Sequence, residues 1–280
     1  MCTKVTVIAI AALCALSTVP ANAATVHFSG TDSTTQIASV FNRKSLYLNL
    51  HDAAAKLRLT VIWDSASGLL ILSSPQDCVP VFERDQDEVQ IKDKELFVRT
   101  DEVSSALGCK AALKGKNDLT LACPSGLPAG TVGNQAGDPA PGFRLHSDTA
   151  TVVSLAERLK QRPMLVVFFR NGEWDPFSKL LLTMLQSRLD SIHALGYDVV
   201  AIHGYEPKSA VKWSKDLNVT FPLLADQYSA VIRAYNVLES AHLAAPSLFA
   251  IDQHGIIRLR HVFDLNGPPD LSPILKELKK

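Results

Sequence analysis

Two stretches of this chain align without a gap: LYLNLHDAAAKLRLTVIWDSASGLLILS from Leu46 to Ser73, and LFVRTDEVSSALGCKAALKGKNDLTLAC from Leu96 to Cys123. Leu46 with Leu96, Tyr47 with Phe97, Leu48 with Val98, Leu57 with Leu107 and Leu69 with Leu119 match at one constant spacing. Each copy reads as a short strand, a helix of about ten residues and a β-hairpin. A unit this small cannot bury its own apolar face, so the two copies must pair to share a core. Asp52 and Asp101 stand near the two helix starts, where a carboxylate can accept from free N–H groups.

The hairpin turns are DSASG and KGKND. With the second turn spanning Lys114 to Asp118, Leu113 faces Leu119, Ala111 faces Leu121 and Cys109 faces Cys123. Directly opposed strand residues lie about 4.5–5.5 Å apart at Cα, within disulfide reach. The register therefore favours Cys109–Cys123 over Cys78–Cys123. These three are the only cysteines beyond the N-terminal leader, and an odd count leaves one thiol or an intermolecular bridge. From Val26 to Cys123 the pattern resembles the copper amine oxidase N-terminal-like domain, a stalk module of bacterial envelope proteins. That resemblance implies a spacer or an interaction surface, without a copper site and without catalysis.

The leader has a positive charge within Met1 to Lys4, an apolar and small-residue run from Val5 to Val19, and small residues at Ala21 and Ala23. This is the pattern a signal peptidase reads. The run is shorter than the roughly 20 apolar residues a spanning helix needs. The expectation is a cleaved signal peptide over residues 1–23, leaving a periplasmic or secreted protein with no membrane span after cleavage. Lysine plus arginine, 28, cancel aspartate plus glutamate, 28, so nothing points to nucleic acid. An envelope protein of unknown identity or a small ligand remains as the partner, and no cofactor is indicated.

The stretch CPSGLPAGTVGNQAGDPAPG, Cys123 to Gly142, is rich in Pro and Gly and lacks periodicity. It reads as a flexible linker over 124–141, dividing a repeat domain at 24–123 from a second domain at 142–280. In the second domain MLVVFF reads as a buried parallel strand. A helix is expected from Pro176 to Leu195, then the strand GYDVVAI, the helix PKSAVKWSKDLNV, the segment FPLLAD, the helix YSAVIRAYNV and a closing hairpin SLFAID-QHG-IIRLRHV. This order describes an α/β sandwich of the thioredoxin type, preceded by the small α/β repeat domain.

The pieces PGFRL, LVVFFRNGEW.PF, LGYDVVAI, FPLLAD, AYNV and APSLFAIDQHGIIR resemble the alkyl hydroperoxide reductase/thiol-specific antioxidant family, a peroxiredoxin-like branch of the thioredoxin fold. That branch commonly carries R-G-x-W-C-P-Y-C at the loop that here reads Arg170-Asn171-Gly172-Glu173-Trp174-Asp175-Pro176-Phe177-Ser178. The resemblance implies a degenerate redox site at Asp175 and Ser178, and a cis-proline at Ala245-Pro246 facing it. An aspartate cannot form a sulfenic acid or a disulfide, so thiol chemistry is excluded at this loop. Asp175 before Pro176 is a favoured helix start. A cleft formed by Arg170, Trp174, Asp175, Pro176, Ala245 and Pro246 would then serve binding. Asp175 with His203 and His242, helped by Glu173, forms a conceivable metal set; otherwise both histidines are expected to face solvent. Ser178 as a nucleophile lacks an argued base. The expected function is that of a binding or scaffold module that has lost thiol redox chemistry. The competing expectation is an active peroxiredoxin-type antioxidant using a thiol from outside the loop.

Overall fold

The computed structural model describes residues 23–124, 126 and 130–279. The expected leader lies outside these residues except for Ala23, as do four residues of the expected linker. The chain divides into two compact units, Met1–Val132 and Gly133–Lys280.

In the first unit, β1 (Ala23–Phe28) and β2 (Thr34–Asn42) precede the first repeat copy. That copy is β3 (Ser45–Asn49), α1 (Leu50–Leu57) and the hairpin β4 (Thr60–Asp64) with β5 (Leu69–Ser73). β6 (Cys78–Phe82) and β7 (Val89–Lys92) lead into the second copy: β8 (Glu95–Arg99), α2 (Thr100–Ala106), β9 (Lys110–Lys114) and β10 (Asp118–Ala122). The repeat also extends upstream. The β2–β3 and β7–β8 turns each pass through two residues of positive φ, Arg43 and Lys44 in one, Asp93 and Lys94 in the other, as a two-residue hairpin requires.

The copies meet where β3 runs antiparallel to β8, placing Leu48 opposite its repeat equivalent Val98. Leu48, Leu57, Leu107 and Leu119 join one buried cluster, which is the shared core that neither copy could close alone. The hairpins then diverge. β9 and β10 enter a seven-stranded sheet, β7-β8-β3-β2-β1-β10-β9, while β4 and β5 form a three-stranded sheet with β6. The helix starts differ from expectation. Asn49 caps α1 by accepting from Asp52 N at 3.0 Å, and the Asp52 carboxylate accepts from Ala38 N of β2 at 3.0 Å instead. α2 has no side-chain cap, and Asp101 pairs with Arg99 at 3.4 Å.

β9 and β10 pair with Leu113 opposite Leu119 and Ala111 opposite Leu121, and Cys109 is disulfide-bonded to Cys123 with their Cα atoms 4.2 Å apart. Cys78 keeps its thiol, buried against Ser73 Oγ at 3.0 Å. The bridge spans a sequence separation of 14, and closing a loop of about that length contributes about 3 kcal/mol. Hydrogen exchange of the β10 amides should therefore lose about 3 kcal/mol of protection on Cys109→Ser substitution. A loss below about 1 kcal/mol would show that the register alone holds the hairpin.

The second unit begins with β11 (Arg144–Ser147), β12 (Val152–Ser154), α3 (Leu155–Leu159) and β13 (Met164–Phe168). Next come α4 (Pro176–Ser187), α5 (Leu189–Ala194), β14 (Asp198–His203) and α6 (Pro207–Asp216). β15 (Leu223–Ala225), α7 (Ala230–Ala234), a small hairpin of β16 (Leu238–Ser240) and β17 (Leu243–Ala244), β18 (Ser247–Ile251), β19 (Ile257–Val262) and α8 (Ser272–Glu277) complete it. The sheet runs β12-β11-β15-β14-β13-β18-β19, with β13, β14 and β15 parallel and β18 and β19 antiparallel to their neighbours. This is the mixed α/β sheet of the thioredoxin type.

All five residues of β13 are buried, because both of its faces are covered. Leu165, Val167 and Phe169 pack with Leu181, Leu185 and Trp213 on one face. Phe168 meets Tyr235 and Phe249 on the other, at ring-centroid distances of 5.0 and 5.8 Å. The helix expected from Pro176 to Leu195 is broken at Arg188, which leaves helical geometry at φ −107°, ψ 4°. The second half of the Pro/Gly-rich stretch is bound to this unit. Gly137 N donates to Ile257 O, Ile257 N to Asp138 O, and Ala140 N to Gly255 O. Residues from Gly133 onward therefore belong to the second unit rather than to a linker. Among the described residues no helix is long and apolar enough to cross a membrane.

Candidate functional site

The loop between β13 and α4 leaves the sheet at the carboxyl end of an interior strand, next to the central β14, where α/β folds place their ligands. Its turn is made by Asn171, buried, whose Oδ1 accepts from Glu173 N at 2.7 Å and Trp174 N at 3.0 Å. Asp175 is the N-cap of α4, with Pro176 in the first turn. Its Oδ2 accepts from Ser178 N at 3.2 Å and from Ser178 Oγ at 2.5 Å. Ser178 Oγ in turn accepts from Arg170 N at 3.0 Å. Asp175 is 5% exposed and Ser178 fully buried. The two positions that would carry sulfur are thus bonded to each other and to the backbone of the loop. With its one proton held by Asp175 and its oxygen taken up by the loop, Ser178 is not poised as a nucleophile.

Arg170 and Trp174 differ in their surroundings. The Arg170 guanidinium forms a two-pronged pair with Glu239 of β16, one bond being Nε to Oε2 at 2.7 Å. Trp174 is 55% exposed, and its neighbour Glu173 pairs with Lys212 of α6 at 2.9 Å. Gly172 packs so closely on Trp213 that a Cβ there would approach the indole to 2.6 Å. That contact accounts for a glycine at the turn.

The Ala245–Pro246 bond corrects the expectation from resemblance: among the described residues no peptide bond is cis. Extended pairing holds both sides of it, Ala245 N donating to Val237 O at 2.7 Å and Phe263 N to Pro246 O at 2.9 Å. The next residue, Ser247, pairs with Phe168, so Pro246 stands at the sheet end from which the loop departs.

One of the two histidines is corrected as well. His203 does not face solvent: it is fully buried among Phe169, Trp213 and Tyr205. Nδ1 accepts from Tyr205 N at 3.1 Å, and burial lowers its pKa to about 3. His242 is exposed, with its backbone carbonyl so close to Gly204 that a Cβ there would collide with the oxygen. Among the described residues no group of three His, Cys, Asp or Glu side chains is placed to hold a metal ion, so Asp175, His203 and His242 do not form a ligand set.

Of three further residues of this unit, two carry no sequence signal. Glu239 lies in a segment without periodicity and finds Arg170 only in the fold. Trp213 reads simply as an apolar helix position. Asp226, at the end of FPLLAD, is buried and accepts from Ala230 N at 2.9 Å and Ile232 N at 2.8 Å. Burial raises its pKa to about 6 against those bonds. An aspartate ahead of an apolar helix was the one available hint.

Residues 136–260 match the family model described as AhpC/TSA family. The ycf42 protein of Trieres chinensis, which carries a peroxiredoxin name, is 28% identical over 124 residues, covering 41% of this chain and 60% of its own length. The chain therefore spans less than two thirds of that relative. Peroxiredoxin 2 of Thermoplasma acidophilum is 22% identical over 150 residues, 51% of this chain and 74% of its own. Among solved structures, a peroxidoxin of Mycobacterium tuberculosis has a TM-score of 0.48 at 17% identity, covering 52% of this chain and 96% of its own. Residues 136–260 are thus similar to the AhpC/TSA family, and they lie in a unit built on a mixed α/β sheet of the thioredoxin type.

Proposed function

We propose that the second unit is a thiol-inert peroxiredoxin-like module, and that it acts by binding rather than by redox turnover. The observation that carries this reading is that no cysteine follows Cys123. The loop's former sulfur positions hold the buried, mutually bonded Asp175 and Ser178. A helix N-terminus that would stabilise a thiolate stabilises this carboxylate equally, so the change retains the cap and removes the oxidisable atom. The N-terminal unit is read as a spacer of the copper amine oxidase N-terminal-like kind, and the leader supports a periplasmic or secreted location.

Peroxide consumption with dithiothreitol as reductant tests this. The full chain is expected to consume none above the uncatalysed rate, and the Asp175→Cys, Ser178→Cys double variant to acquire turnover. Turnover by the unaltered chain that disappears on Cys78→Ser would overturn the reading in favour of a thiol borrowed from the first unit. Against that alternative stands the burial of Cys78 beside Ser73.

A further inference from the structure

Away from the loop, the corner where β12 meets α3 forms an open surface cavity of about 210 Å³. Arg144 and Ser154 are directly paired across β11 and β12, so their side chains share one face of the sheet. Ser154 is 7% exposed, and its Oγ has no hydrogen-bond partner. Buried polar atoms are ordinarily satisfied, so this hydroxyl lacks the acceptor or donor such a position normally has. Arg158, one helical turn further on, is half-buried and lines the same cavity. Among the described residues its side chain has no hydrogen bond or ion pair, whereas the carboxylate of Glu157, which also lines the cavity, is paired with Lys160 at 2.8 Å and 2.9 Å.

We propose that this corner binds a small oxyanion of the phosphate type. The planar guanidinium of Arg158 suits two phosphate oxygens at once. The Ser154 hydroxyl supplies a short donor from the floor, and Arg144 adds charge from the facing strand. Val152 and Gln161 bound the cavity and limit the ligand to a small group. The proposal does not depend on the reading of the Asp175 loop, which lies at a different end of the unit's chain order and shares no residue with it.

Amide NMR of the full chain, titrated with inorganic phosphate at constant ionic strength, provides the test. Saturable shifts confined to residues 144–161 are expected. Arg158→Gln should weaken binding by about tenfold or more, and Arg158→Lys by less, since lysine keeps the charge but not the fork. Ser154→Ala should also weaken it, and this variant is expected to fold because it removes an unsatisfied group rather than a bonded one. Arg188→Gln, outside the cavity, should leave binding unchanged. Shifts that never saturate, or an affinity that Arg158→Gln leaves unaltered, would overturn the proposal. Acetate binding as tightly as phosphate would overturn the assignment to a phosphate-type anion.

Discussion

Truncating Phe249 to alanine should lower the stability of the second unit by about 3–5 kcal/mol. The side chain is fully buried and stands edge-on to both Phe168 and Tyr235, with centroids 5.8 and 4.9 Å away. Each such aromatic pair contributes about 0.5–1.5 kcal/mol beyond area burial. Tyr235 cannot move in to fill the space, because its hydroxyl donates to Pro141 O at 2.8 Å. The guanidinium of Arg260, 5.8 Å from the Phe249 ring, would lose its aromatic contact as well. Hydrogen exchange of the β13 and β18 amides reads this unit by itself. Phe177→Ala is the control, since that ring is only half-buried at the edge of the core and pairs with the Phe263 ring. A loss for Phe249→Ala no larger than the control's would mean that the three-ring cluster does not anchor the strand from which the loop departs.

What could be read beforehand depended on how local its cause was. The two repeat copies were visible because a strand, a helix and a hairpin each write their period over a few neighbouring residues. A five-residue polar turn then sets which residues face each other, and it carries Cys109 opposite Cys123 without any knowledge of the rest. The Asp175 cap is equally local, needing only Pro176 after it and Ser178 within the first turn. The Arg170–Glu239 pair bridges two segments far apart in the chain, and no pattern near either residue foretells it. His203 is similar: a histidine at a strand end, just before Gly204, looks exposed until Phe169 and Trp213 close around it. The Pro/Gly-rich stretch misled for the opposite reason. Its composition excludes regular structure, yet the hydrogen bonds of Gly137, Asp138 and Ala140 to the β18–β19 turn and strand need no side chains at all.

His203 and Asp226 should tilt the pH dependence of stability in opposite directions. Their backbones are joined, Asp226 N donating to His203 O at 2.8 Å, but burial acts oppositely on a base and an acid. His203 drops from 6.5 to about 3, so between those values the unfolded chain binds more protons than the folded one. Stability from His203 is therefore fully present above the unfolded value and is lost as pH falls toward about 3, by about 5 kcal/mol in all. Asp226 rises from 3.8 to about 6, so between those values the folded chain binds more protons. Its burial costs about 3 kcal/mol of stability above pH 6, and that cost is relieved as pH falls toward 3.8. Between about pH 4 and pH 6 the two slopes, each about 1.4 kcal/mol per pH unit, nearly cancel. Measured by amide exchange against pH, the stability lead of the unaltered chain over His203→Gln should shrink on acidification, while its lead over Asp226→Asn should grow. The double variant should return to nearly the unaltered profile in that window, whatever constant offset the lost hydrogen bonds impose. Parallel profiles for the two single variants would show that neither group titrates where its burial places it. His203 packs on Phe169 at the start of the Asp175 loop, and Asp226 directly follows β15, so the two profiles report on neighbouring strand ends of one sheet.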